Sequence, residues 1–158
     1  MIVAQERALL KAHDQFEALE AFIEQAAADG QRIDGVEREL FGRLLAIGHG
    51  LLSAFVAAAG DGDAGATLQT PDGRTLRRLQ GNHPRRYLSI FGELWIERFV
   101  YAPREGQKVE GAPLDERLAL PAGEFSYVLE EWLQRLSVKE SSHEAASDLR
   151  ARLGLASR

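Results

Sequence analysis

A chain of 158 residues, 45% hydrophobic and 27% charged, has room for one domain core or two very small ones. It holds no cysteine, which excludes a disulfide framework and a thiolate zinc site. The net charge of −5 is unevenly spread: residues 1–66 hold 5 Lys/Arg against 11 Asp/Glu, while residues 74–104 hold seven arginines against Glu93 and Glu97. No apolar run reaches membrane-spanning length, and the N-terminus lacks the basic-then-apolar order of a secretory signal. The expectation is a cytoplasmic protein with no membrane partner.

Residues 4–28 read as a helix, with Leu9, Phe16, Leu19, Ile23 and Ala26 expected inward. Ala28-Asp29-Gly30 stops it, because glycine takes the left-handed conformation at little cost. A second helix is expected over Asp34–Ala59, opening on Asp34 with Glu37 three residues on. Its apolar row is Ile33, Val36, Leu40, Leu44, Ile47, Leu51 and Phe55, widened by Phe41, Leu45, Leu52 and Val56. That width is more than the first helix can cover, so the Asp34–Ala59 helix is a candidate homodimer surface. Gly42, Gly48 and Gly50 within it call for close packing or a bend.

Gly60–Gly65 reads as a flexible acidic linker. Asp61, Asp63 and Asp72 have the outer spacing of a calcium loop, but Ala66 stands where its sharp turn needs glycine. Thr67–Thr70, Pro71-Asp72-Gly73 and Arg74–Leu79 form a hairpin pattern with a turn mechanism. Arg85–Ala102 is a second hairpin, with its turn at Phe91-Gly92-Glu93 and apolar residues of both parities, as if covered on both faces. A short strand is expected at Gln107–Glu110, and one helical turn at most between Pro113 and Pro121. Glu124–Leu136 reads as a helix, followed by another from Ser141 or Ser142 to about Leu153.

The fold class is therefore α+β: an N-terminal antiparallel helical hairpin, a small antiparallel β-hairpin region, and short C-terminal helices. The segments are residues 1–60, the linker 61–66, the Arg-rich hairpin module 67–112, and the helices 113–158. The last two helices fit the start of a helix-turn-helix and fit a plain helical hairpin equally.

No phosphate loop, dinucleotide fingerprint or nucleophile elbow is present, and His13, His49, His83 and His143 lack metal-ligand spacing. No catalytic residue, metal site or cofactor is expected. What stands out is arginine: Arg74, Arg77, Arg78, Arg85, Arg86, Arg98 and Arg104. The planar guanidinium suits phosphate, which makes these the candidate contacts to double-stranded DNA. A solvated hairpin surface is the plain alternative.

Three ordered segments carry a family resemblance: TLQTPDGRTLRRL, RRYLSIFGELWIERFVYAPREGQKVE and PLDERLALPAGEFSYVLEEWLQRLSVKE. Together they resemble the N-terminal region of insertion-sequence transposases of the ISKra family, over roughly residues 35–155 and most strongly over 67–140. The resemblance implies a module that helps recognise transposon-end DNA during transposition. In such transposases it precedes a ribonuclease-H-like domain with a metal-binding carboxylate triad. That domain is not expected within a chain ending at Arg158, so the chain is expected neither to cut nor to join DNA and looks like a truncated or frame-shifted copy. The family often has cysteines here, one of them where this chain has Ser137. Besides a non-catalytic DNA-binding and assembly fragment, the sequence admits a dimerisation module that binds no DNA, and a remnant without function.

Overall fold

Helix-favouring residues dominate the N-terminal part of the chain, and the computed structural model places two long helices there. It describes residues 2–139 together with Ser147 and Ala151. The chain divides into two compact units, Met1–Ala58 and Ala59–Arg158. Helix α1 spans Ile2–Ala28 and α2 spans Ile33–Ala59. Between them Gly30 takes φ of 64°, and the amides of Gly30 and Gln31 donate to the carbonyls of Ala27 and Ala26. This is the glycine C-terminal motif, which satisfies carbonyls the helix leaves free. Asp34 lies in the first turn of α2, and its carboxylate pairs with Arg32 and Arg38.

The seam of this hairpin differs from the expected one. Gln5, Ala8, Ala12, Gln15, Leu19, Phe22 and Ala26 are the covered positions of α1, in alternating steps of three and four. On α2 the matching positions are Val36, Leu40, Arg43, Ile47, Gly50 and Ala54. The Arg43 guanidinium sits 4.7 Å from the centre of the Phe22 ring, and a Cβ on Gly50 would lie 3.8 Å from Gln15 Oε1. Leu19 and Ala26 point inward as expected, whereas Leu9, Phe16 and Ile23 are exposed. Small residues are frequent in the seam, and the bulky row lies outside it. Gly42 has open space around it, so close packing does not account for that glycine.

The expectation that no apolar run reaches membrane-spanning length does not hold for α2. It is long and apolar enough, by length and composition alone, to cross a bilayer, and Leu44–Gly60 contains no Asp, Glu, Lys or Arg.

The second unit holds two small antiparallel sheets. Strands β1 (Thr67–Gln69), β2 (Thr75–Arg78) and β5 (Tyr101–Ala102) form one, in the order β1-β2-β5. Strands β3 (Arg85–Ser89) and β4 (Gly92–Ile96) form the other. The β1–β2 turn is the expected one: the Gly73 amide donates to the Thr70 carbonyl at 3.0 Å, and Gly73 takes φ of 85°. In the second hairpin the loop is Ile90-Phe91, with Ser89 paired to Gly92. Gly92 belongs to β4 rather than to the turn, with φ of 119°.

The run after that turn is not one strand. It ends at Ile96, and Tyr101-Ala102 joins the other sheet against Arg78 and Arg77. Val100, Tyr101 and Ala102 are buried in succession, so alternation ceases there. Leu94 and Ile96 are buried while Trp95 between them is exposed, so β4 has one covered face rather than two. No strand forms at Gln107–Glu110; the Glu110 and Gly111 amides both donate to the Tyr101 carbonyl instead.

Helix α3 is the single short turn Pro113–Arg117, with proline at its start, where its missing N–H costs nothing. Helix α4 runs Tyr127–Lys139 and starts three residues later than expected. Glu124–Ser126 is instead extended against β3: the Leu88 amide donates to the Glu124 carbonyl and the Ser126 amide to the Leu88 carbonyl, both at 2.8 Å. Ser126 Oγ then accepts the Leu129 amide at 3.0 Å, as an N-cap does. The helix expected from Ser141 or Ser142 to Leu153, and with it the helix-turn-helix, lies outside the continuously described residues.

The acidic segment Gly60–Gly65 is stitched down rather than loose. Asp61 Oδ1 accepts the Asp63 amide at 3.0 Å, and Asp63 Oδ1 accepts the Gly65 amide at 2.9 Å. Tyr101, fully buried, accepts the Ala64 amide through its hydroxyl and donates to the Gly65 carbonyl. The aspartates that suggested a calcium loop serve the fold. Asp61 caps its own turn, Asp63 pairs with Arg78 at 2.6 Å, and Asp72 pairs with Arg74 at 2.8 Å.

Candidate nucleic-acid interface

Each of the seven candidate arginines lies in the second unit, and the structure gives them different surroundings. Arg74 reaches Asp72 at 2.8 Å and Glu110 at 2.7 Å. Arg78 reaches Asp63 and lies 5.0 Å from the centre of the Phe99 ring. Arg86 pairs with Glu93 at 2.6 Å across the β3–β4 hairpin and with Glu124 at 3.3 Å. Arg85 and Arg98 converge on one oxygen, Asp115 Oδ2, at 2.7 and 3.2 Å. Arg85 also donates to the carbonyls of Pro121 and Gly123.

Five of the seven are thus committed to carboxylates within the fold. The acids that neutralise them come mostly from just outside the basic stretch: Asp63 and Asp72 before it, Glu110, Asp115 and Glu124 after it. Arg77 and Arg104 are exposed and form no ion pair among the described residues. Arg77 pairs across the sheet with Ala102, so Arg104 follows two residues beyond its partner.

The node of Arg85, Arg98 and Asp115 is the most buried charge cluster of the set, with side-chain exposures of 15%, 16% and 20%. Asp115 stands at the start of α3, Arg85 opens β3, and Arg98 follows β4. The node therefore ties the hairpin to the segment after it. Arg98 Nε, Asp115 Oδ1 and His83 Nε2 are buried without hydrogen-bond partners among the described residues. Burial lowers the pKa of Arg98; Asp115 opposes that shift and Arg85 adds to it. A cavity of about 420 Å³ opens on the node, but Glu110 and Glu116 also line it. Those acids offset the second guanidinium, so the cavity is not an anion cradle.

Three exposed carboxylates are held ionised by their neighbours. The Thr70 hydroxyl, and then Arg74, bring Asp72 down to about 2. The Gly65 amide, and then Arg78, lower Asp63; Arg86 lowers Glu93. A carboxylate with a depressed folded pKa stabilises the fold above its unfolded pKa and loses that effect as pH falls through the folded value. The second unit should therefore keep its stability above the ordinary glutamate value of 4.5 and lose it progressively toward about 2. Denaturant midpoints measured across that range check this; a midpoint unchanged down to about pH 3 would show that these pairs contribute nothing.

Among the described residues no group of three His, Cys, Asp or Glu side chains could hold a metal ion. Comparison of the chain with protein-family models, with curated proteins and with solved structures finds no match.

Proposed function

We propose that the chain is the non-catalytic DNA-binding and assembly part of a transposase, contacting the duplex at transposon ends. The motif order that resembles ISKra-family transposases supports this reading. The observation that carries the DNA contact is the pair Arg77 and Arg104, both exposed and free of ion pairs among the described residues, with Arg104 two residues beyond Ala102, the cross-strand partner of Arg77. Guanidiniums in that state can neutralise phosphates and release the cations condensed on DNA, the source of sequence-independent affinity.

Arg77→Ala with Arg104→Ala should weaken binding to all duplexes alike. It should flatten the slope of log affinity against log salt by roughly 0.9 per lost contact. Neither side chain is part of the folded ion-pair network, so the fold should be unaffected. An unchanged slope removes these two residues from the interface.

A second reading has its own observation. Because five of the seven arginines already pair with carboxylates, the chain also fits an assembly module that joins copies through α2 and binds no DNA. Binding that is lost at every salt concentration tested would favour this one.

A further inference from the structure

The helical hairpin has two unlike sides. Leu9, Phe16 and Ile23 each follow a seam residue of α1 by four positions: Gln5, Ala12 and Leu19. Leu44 and Leu51 follow Leu40 and Ile47 by the same step. In two antiparallel right-handed helices, a four-residue step from the seam turns toward the same side of the pair. Phe41 and Phe55, one residue after Leu40 and Ala54, extend that side outward. These seven side chains are between 39% and 62% exposed. The opposite side carries Lys11, Ala18 and Gln25 on α1, and Glu39, Ala46 and Ser53 on α2.

We infer that the face of Leu9, Phe16, Ile23, Phe41, Leu44, Leu51 and Phe55 is the surface on which a second copy of this chain docks, making a four-helix bundle. The inference rests on the assembly half of the proposed function and is independent of DNA. Two observations select this occupant. The exposed rows recur at seven-residue intervals, 9-16-23 on α1 and 44-51 on α2, which is the spacing that meshes with another helix. Seven large apolar side chains about half exposed leave on the order of 600 Å² per copy. Two copies therefore bury about 1,200 Å² before flanking residues are added, which reaches the range of stable interfaces. A bilayer would suit an apolar surface around both helices; α2 is uncharged from Leu44 on, but charged residues such as Glu6, Lys11, Asp14, Glu17, Glu20 and Glu24 occupy the rest of α1.

Sedimentation velocity on the full chain without DNA tests this. The wild type should be a dimer at tens of micromolar. Phe16→Glu and Leu44→Glu should each give a monomer with helicity retained, raising the dissociation constant roughly a hundredfold or more, because each buries unpaired charge without touching the seam. Ala18→Glu and Ala46→Glu, on the other side, should remain dimeric. A monomeric wild type would overturn the inference, and so would dimers in the Phe16 and Leu44 variants or monomers in the Ala18 and Ala46 variants. A monomer that floats with neutral lipid vesicles would overturn it in favour of a bilayer. None of these outcomes decides whether the salt-dependent DNA contact exists, so the two readings fail separately.

Discussion

Asp115→Ala should destabilise the second unit by about 3 kcal/mol, the largest loss expected from a single polar side chain in this protein. Asp115 Oδ2 is the shared acceptor for Arg85 and Arg98, and all three side chains are at least four-fifths buried. Removing it leaves two like charges side by side in a partly desolvated place. The loss is set at the lower end of the range for a broken buried pair because each group keeps some contact with water. For a unit of this size it should lower the melting temperature by roughly 15 °C. Truncating Asp115 in an Arg98→Met background should cost less, since one stranded cation is gone. That coupling, measured in a double-mutant cycle, should exceed roughly 1 kcal/mol. A loss within about 0.5 kcal/mol would place the node among ordinary surface pairs.

Gly62→Ala and Gly65→Ala should differ sharply, although both glycines have positive φ, 75° and 94°. A Cβ on Gly62 would stand 2.9 Å from the Leu114 amide nitrogen and 3.0 Å from Leu114 Cβ. Leu114 is buried at the start of α3, so its backbone has little freedom to retreat. A Cβ on Gly65 would meet nothing within 4 Å. Gly65→Ala should therefore cost about 1 kcal/mol, from the backbone conformation alone. Gly62→Ala should cost about 3 kcal/mol, because overpacking is added to it. Thermal or denaturant unfolding of both variants gives the comparison. Equal losses would mean that the Gly60–Gly65 segment can shift off Leu114 and is a linker after all.

The Gly60–Gly65 segment shows what the sequence conceals. Glycine and aspartate in alternation read as a flexible link, since each residue type favours turns. Nothing local reveals that Tyr101, some forty positions later, holds the segment by two hydrogen bonds. The arginine stretch misleads in the same way. Its charge balance is strongly positive within its own window, while the carboxylates that neutralise it lie mostly beyond both ends. The α+β class, the long helices and the Pro-Asp-Gly turn were legible because they depend on short-range spacing and turn chemistry.

Pattern failed where two solutions shared one periodicity. On α1 both the seam of Ala12, Leu19 and Ala26 and the row of Leu9, Phe16 and Ile23 repeat every seven residues. Hydrophobicity favours the second as core, yet the first is the one that is buried. The late start of α4 has a similar cause: Phe125 fits the helical apolar pattern, but the hydrogen bonds of Glu124 and Ser126 to Leu88 keep that stretch extended. Of the candidate interface, Arg77 and Arg104 have no carboxylate partner among the described residues, a distinction that residue type could not make.

A salt titration of wild-type binding to transposon-end and unrelated duplexes decides whether the proposed phosphate contacts with DNA exist. Two phosphate contacts predict a slope of log affinity against log salt of about −1.8, steeper if further cations join the interface. Transposon-end DNA should bind at least as tightly as the unrelated duplex throughout. Absence of binding at low salt, or an affinity that does not change with salt, would rule out the proposed DNA contact.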